Sequence, residues 1–399
     1  MSVFSRALAV LAIVATPMLL AAPVAATELV ITFGGDVNFA RSGQTPQPNR
    51  VNKFGVHTLD SLTEVVATEW DGDINFVNAE TVVADQNGAP QYGKAFVFRS
   101  HPDQFRYLMD LGVNAYSLAN NHAFDHGRKG LADTYNFFKK AERSYGPMLF
   151  SGVGTSATAF KPKVVTIKGV RVAMSAVSFG SGSFSPTPNQ VGMAYLFSPS
   201  QYEQVLQGLK AVTADIKLLS VHYGTENYTG LNPGQAALYR RAIDEAGVNL
   251  VIGHHPHVVR GVEVSPEKDA AIFYSLGNLL FIGGAQKDTH SLGLDYGLLG
   301  KAYFSVKGGK AHLNALEAVP FKGVHLKPVR PPAYRAKATI DHLNGLSRRS
   351  VGDVAAQFKI TTPSAPRGLA CYGGPYGPRA KRLCCAEEKS LHCQLPDLM

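Results

Sequence analysis

At least five short apolar segments of this chain each stop at a cluster of Asp, Asn, Glu or His, and this repeated junction is the strongest constraint on its fold. Glu28 to Phe33 runs into Gly34-Gly35-Asp36, and Ile74 to Val77 runs into Asn78-Ala79-Glu80. Val113 to Leu118 stops at Asn120-Asn121-His122, and Ile216 to Val221 stops at His222. Asn249 to Ile252 leads to Gly253-His254-His255-Pro256-His257, and Ala271 to Ser275 leads to Leu276-Gly277-Asn278. Short apolar runs rich in β-branched residues predict buried strands. Helical spacing at Phe105 to Leu111, Leu131 to Phe138 and Pro233 to Ala246 predicts helices between them, and Val164–Ile167 with Val170–Val177 reads as a hairpin turning at Lys168-Gly169. The order is that of an α/β fold, in which ligands bind beyond the carboxyl ends of the strands.

The loop after Ile252 is the densest of these junctions, with three histidines in four positions. Imidazole is the commonest metal ligand and titrates near neutral pH, so the loop concentrates metal-binding or proton-transfer capacity. Pro256 stiffens the turn and biases His255 towards extended backbone. With Asp36, Glu80, Asn121, His122 and His222 at the other strand ends, His254 and His257 complete a mixed oxygen and nitrogen donor set. Such a set suits one or two divalent ions of Mn, Fe or Zn better than Ca. Each residue alone also fits a plainer role, Asp36 as a turn residue and Asn120-Asn121 as a helix cap.

At the N-terminus, Arg6 precedes an apolar run from Ala7 to Ala22, then Pro23 and the small residues Val24-Ala25-Ala26. This pattern predicts a secretory signal peptide over residues 1–26, or an uncleaved membrane anchor, and so an exported protein of the periplasm or the extracellular space. All four cysteines lie between Cys371 and Cys393, leaving the body of the chain without a disulfide. A domain over residues 27–330 is expected, then a partly helical extension over 331–360 with a helix at Tyr334 to Leu346. Residues 361–399, rich in Pro, Gly, Lys and Cys without periodicity, read as disordered. The net charge of +9 is scattered over 399 residues, which excludes the one-sided basic footprint of a nucleic-acid-binding protein.

The junctions together carry a resemblance. Gly35-Asp36-Val37-Asn38 with Arg41, Asn78-Ala79-Glu80, Lys94 with Phe98-Arg99, and Ala119 to Gly127 occur in order with His222 to Glu226, Gly253 to Val258 and Tyr274 to Asn278. Over roughly Leu29 to Lys327 the set resembles the CapA-type proteins of poly-γ-glutamate capsule synthesis, a branch of the calcineurin-like metallophosphoesterases. The resemblance implies a four-layer sandwich of two β-sheets flanked by helices, with a metal-type centre at the strand ends. By that resemblance Asp36 matches the first Gly-Asp motif, Asn121 a metal ligand and His122 a catalytic histidine. His222 looks like the strand-end histidine ligand, which would also help activate the attacking group. The final Gly-His-x-His loop is lengthened by Pro256, so either His254 or His255 partners His257. No His follows Asp36-Val37-Asn38, and Asn78-Ala79-Glu80 stands where a second Gly-Asp motif is usual.

Around these strand ends Arg41, Lys94, Arg99 and Arg260 offer cations for carboxylate or phosphate, with Asn78 and Glu226 as polar neighbours. Three functions follow: a protein acting in synthesis, export or anchoring of an anionic poly-γ-glutamate-type polymer through a metal-dependent centre, alongside membrane synthetase components; a non-catalytic polymer-binding or assembly component; and a secreted metal-dependent phosphoesterase.

Overall fold

The computed structural model describes residues 26–89, 93–180, 182–283, 295–361, 364–386 and residue 393. The segment read as a signal peptide lies outside the described residues, apart from Ala26.

Two mixed sheets face one another. The first has nine strands, and its path runs from the short edge strand Lys359–Ile360 through Gly368–Cys371, Lys310–Lys322, Tyr296–Lys307 and Thr27–Asn38 to Ile74–Ala79, Ala115–Ser117 and Leu149–Ser151. Asn278–Phe281 pairs with the far end of Thr27–Asn38. The second sheet has six strands, ordered Lys163–Ile167, Val170–Ser178, Ile216–His222, Leu250–His254, Ala270–Phe273 and Val262–Ser265. Alternation along a strand sends successive side chains to opposite faces. Leu29, Ile31 and Phe33 therefore share one face, and they fill a common core with Val172, Leu218, Ile252 and Phe273 of the second sheet. On the outer face of the first sheet Val77 and Tyr116 pack with Phe105 and Phe138, from the helices Pro102–Asp110 and Gly127–Tyr145. Outside the second sheet Leu219 and Val251 meet Leu206 and Tyr239 of the helices Pro199–Ala211 and Gln235–Ala246. The layers run helix, sheet, sheet, helix, as expected.

Register, more than sequence spacing, assembles the polar residues. Asp36 lies opposite Asn78 on one side and Asn278 on the other, while His222 lies opposite His254 in the second sheet. The first strand manages this by changing partners. Thr27 to Phe33 pairs antiparallel with Tyr296–Lys307, and beyond a bulge Asp36 to Asn38 pairs parallel with Asn278–Phe281. Gly35 permits the exchange, because a Cβ there would stand 1.9 Å from the Gly277 carbonyl oxygen.

Residues 364–386 are ordered, where 361–399 read as disordered; the rest of that stretch, apart from Thr361 and Cys393, lies outside the described residues. Gly368–Cys371 pairs antiparallel with Lys310–Lys322, and the helix Pro378–Cys384 packs Ala380 and Cys384 against Val30, Tyr303 and Ala315. Its order comes from partners remote in sequence, which local composition does not reveal. The Glu28 carboxylate accepts from the Arg379 and Ala380 backbone amides at 2.8 and 3.0 Å, and Asn314 donates to the Gly373 and Pro375 carbonyls. Cys371 is bonded to Cys384, and Cys385 to Cys393. Loops of this size stabilise by about 3 kcal/mol when closed. Cys371→Ser with Cys384→Ser is therefore expected to lower the urea midpoint, and an unmoved midpoint would mean that the non-covalent contacts suffice. Among the described residues no helix is long and apolar enough to cross a membrane.

Candidate metal centre

Asp36 is fully buried at the hub of the cluster. Its Oδ1 accepts from the Asn78 side-chain amide at 2.8 Å and stands 3.3 Å from His254 Nδ1, within ion-pair range but without hydrogen-bond alignment. Its Oδ2 is 3.3 Å from His257 Nδ1. Asn78 also reaches His222 Nδ1 at 3.2 Å, and His222 Nε2 meets Asn121 Oδ1 at 2.7 Å. Glu80 Oε1 lies 3.4 Å from His222 Nε2, 3.7 Å from His257 Nε2 and 4.0 Å from His122 Nε2. Residues from four strand ends and two loops thus point at one small volume.

The electrostatics of that volume are those of a site built around positive charge. Burial works to raise the Asp36 carboxyl, but the His254 and His257 imidazoles overcome it and hold the group well below the carboxylate range. Burial, reinforced by the Asp36 charge, pushes Glu80 well above that range. Burial, with His255 alongside, drives His222 well below the usual imidazole value, and burial with His257 alongside takes His255 down to about 3. His257 moves the other way: burial opposes its charge, and the bond to Asp36 outweighs it. Both Glu80 oxygens and His255 Nδ1 are buried without a hydrogen-bond partner. A buried carboxylate with neither oxygen bonded is expensive unless a cation lies against it.

Among the described residues three groupings have ligand atoms close enough to share an ion: Glu80, His222 and His255; Asp36, Glu80 and His257; and the more exposed Glu226, His255 and His257. The donor set therefore fits a borderline divalent ion. Among the described residues His254 belongs to none of these groupings, and His255 belongs to two. Its ring centroid is 4.8 Å from that of His222 and 6.0 Å from that of His257, whereas His254 lies behind Asp36 and tilts against Phe76. His255 is not extended, as a residue before proline ordinarily is, but has φ of 95°, and His257 has φ of 56°. The turn is pinned from outside, since the Pro256 carbonyl accepts from the Asn227 amide at 2.8 Å and the His254 carbonyl from the Tyr223 amide at 3.0 Å.

Residues 30–282 match the family described as "Bacterial capsule synthesis protein PGA_cap". The chain belongs to the PGA_cap family. The capsule biosynthesis protein CapA of Bacillus anthracis is 28% identical over 276 residues, covering 68% of this chain and 64% of that protein. The PGA biosynthesis protein CapA of Bacillus subtilis strain 168 is 30% identical over 271 residues, covering 67% and 66% respectively. The match spans just under two thirds of these relatives' own lengths. A solved structure of similar outline is a calcineurin-like phosphoesterase from Bacillus subtilis, with a TM-score of 0.40 and 14% identity over 75% of this chain and 91% of that one.

In this PGA_cap chain the basic residues separate into two kinds. Lys94 faces the cluster: its ammonium is bonded to the Asp125 carboxylate, donates to the Asn121 carbonyl at 2.6 Å and lies 3.5 Å from His122 Nδ1. Arg99 instead donates to the Ala84 carbonyl at 2.7 Å and to the Asn87 side chain, so it fastens a loop. Arg260 is buried and spends its donors on Tyr228 O, Thr225 O and Gln235 Oε1, shaping the loop that carries the exposed Glu226. Arg41 is exposed. Arg99 and Arg260 are thus held by the fold where a substrate-binding role was expected.

Two contributors went unassigned in the sequence. Asp125 is fully buried; its Oδ2 accepts from His122 Nδ1 and from the Phe98 backbone amide, both at 2.6 Å. Asn278 Oδ1 sits 2.9 Å from His257 Nδ1. Both lie inside segments already marked by the resemblance, and the i, i+3 spacing of His122 and Asp125 is the signal that could have paired them.

Proposed function

We propose that this protein is an exported, metal-dependent hydrolase or transferase that acts on an anionic poly-γ-glutamate-type polymer during capsule synthesis, export or anchoring. The observation that carries the catalytic part is Glu80, a fully buried carboxylate with neither oxygen bonded, surrounded by Asp36, His222, His255 and His257. The polymer follows from the PGA_cap membership and from the PGA biosynthesis relative. Export is supported by the signal-like N-terminus and by two disulfides, which persist in oxidising compartments.

Asp36, Glu80, Asn121, His222, His255 and His257 would hold the ion or ions. A bound divalent cation supplies Lewis-acid polarisation and a water of lowered pKa. The chain's own groups do the rest. Asp125 accepts from His122 Nδ1 and so leaves Nε2 facing Glu80, where it takes a proton as the neutral ring and returns one as the imidazolium. Lys94, partly exposed beside that dyad, offers a cation to an incoming carboxylate. Asn78 ties Asp36 to His222 and holds both sheets at one spacing.

Elemental analysis of protein purified without chelator or His-tag tests this reading. About one to two Mn, Fe or Zn per chain are expected, lost in Asp36→Ala and His257→Ala and reduced least in His254→Ala. A protein that takes up no metal under any loading condition would sink the mechanism and leave a non-catalytic polymer-binding component.

A further inference from the structure

On the outer face of the first sheet, away from the metal centre, a cavity of about 340 Å³ opens between the strands Tyr296–Lys307 and Lys310–Lys322 and the C-terminal helix. Its walls include Lys301, Tyr303, Glu317, Arg367, Arg379 and Arg382. These six lie beyond residue 282, where the family match ends, whereas Asp71, which also lines the cavity, lies within it. Two of these cations are already neutralised: Lys301 pairs with Glu69 and Asp71 at 3.0 and 2.7 Å, and Arg367 forks onto Glu69 at 2.9 and 3.2 Å. Two are not. Arg379 gives one hydrogen bond from its guanidinium, to the Asp71 carbonyl, and among the described residues the exposed Arg382 has no hydrogen bond or ion pair.

One wall group asks for the opposite partner. Glu317 is 1% exposed, and its Oε2 accepts from the Tyr303 hydroxyl at 2.6 Å. Its Oε1 accepts no hydrogen bond, with Arg367 standing 3.7 Å away. A buried acceptor left without a donor costs about 1–3 kcal/mol, so the cavity favours an occupant that brings an N–H. The two guanidiniums favour an occupant that brings a carboxylate, which they can grip by a fork.

We infer that this cavity is a second ligand site, which binds a carboxylate carried next to an N–H donor, as in a glutamyl unit. The carboxylate would lie against Arg379 and Arg382, and the amide or ammonium N–H would complete Glu317 Oε1. The choice of a glutamyl ligand rests on the capsule-polymer reading above; the cavity's chemistry does not. The site would hold the polymer away from the metal centre, on the segment that the tail disulfide fastens to the sheet.

Binding should be measured by isothermal titration calorimetry of the full-length protein with oligo-γ-glutamate, with monomeric glutamate and with glutarate, all in chelator so that the metal centre takes no part. We expect saturable binding that weakens with added salt. Affinity should fall at least about tenfold in Arg379→Ala with Arg382→Ala, which removes both charge-assisted contacts, and should fall in Glu317→Gln. It should be unchanged in Asp36→Ala. Saturation by glutamate identifies the free amino-acid end as the occupant, and saturation by the oligomer alone identifies internal units. Glutarate, lacking the N–H, should bind more weakly. No saturable response, equal affinity in the double arginine variant, equal binding of glutarate, or loss in Asp36→Ala would each overturn the assignment. A protein that takes up no metal under any loading condition and still binds the oligomer saturably would defeat the catalytic reading and leave this site standing.

Discussion

Glu80→Gln is expected to make the metal-free protein more heat-stable at pH 7 to 8, and to erase the stabilisation that a divalent ion gives the wild type. Burial and the neighbouring Asp36 charge raise the Glu80 carboxyl well above its ordinary value. A group whose folded value is raised contributes stability that is fully present below its unfolded value, about 4.3, and is lost as pH rises through the folded value. The metal-free wild type should therefore weaken towards neutral and alkaline pH, and the Gln variant should lose that part of the slope. Asp36 has the opposite sign: its folded value is depressed, so its contribution is present above about 3.9 and is lost as pH falls. Asp36→Asn should accordingly destabilise at neutral pH. For Glu80→Gln a gain of about 2–5 °C is the scale to expect from one relieved buried charge in a domain of this size. An ion at a hundredfold excess over its Kd stabilises the native state by about 2.7 kcal/mol, and the variant without the central carboxylate should show little of it. Thermal melts at several pH values, with chelator and with Mn or Zn, measure both effects. An equal gain from metal in wild type and variant would remove Glu80 from the site.

The strand ends were legible because each apolar run stops abruptly at polar residues, and because strands of one sheet that run parallel deliver those stops to the same edge. Asp36, Asn78, His222 and His254 follow from that logic directly, and register supplies the rest. What sequence could not decide was the use of the histidine loop. Proline predicts an extended His255, whereas it stands at positive φ between bonds remote in sequence: Tyr223 to the His254 carbonyl, Asn227 to the Pro256 carbonyl, and its own amide to the Asp36 carboxylate. Arginines were ambiguous for a related reason. Arg99 and Arg260 sit beside site motifs, but their donors go to backbone carbonyls and side chains of neighbouring loops. The long hairpin of Tyr296–Lys307 and Lys310–Lys322 was also hidden: both faces are covered for nearly its whole length, so no alternation marks it. Its outer face is covered in part by the C-terminal helix, so the missed hairpin and the misread tail have one cause.

Asp125→Asn should separate catalysis from metal binding more sharply than any other change. Asp125 contacts His122, Lys94 and the Phe98 amide, and belongs to none of the groupings able to share an ion. Its loss leaves Asp36, Glu80, His222, His255 and His257 in place, so metal content should hold. Turnover of a γ-glutamyl oligomer should fall by about 10²–10⁴, the range for a displaced general acid or base, because an amide no longer fixes the Nδ1–H tautomer that aims His122 Nε2 at Glu80. His122→Gln should fall by a similar factor, and the double variant by no more than the worse single, since the two residues act as one unit. The pH profile gives the decisive readout. Burial lowers the His122 value and Asp125 raises it, so removing the carboxylate lowers it further, and any acid limb set by the neutral ring should move to lower pH. A merely structural Asp125 would reduce the rate and leave that limb where it was.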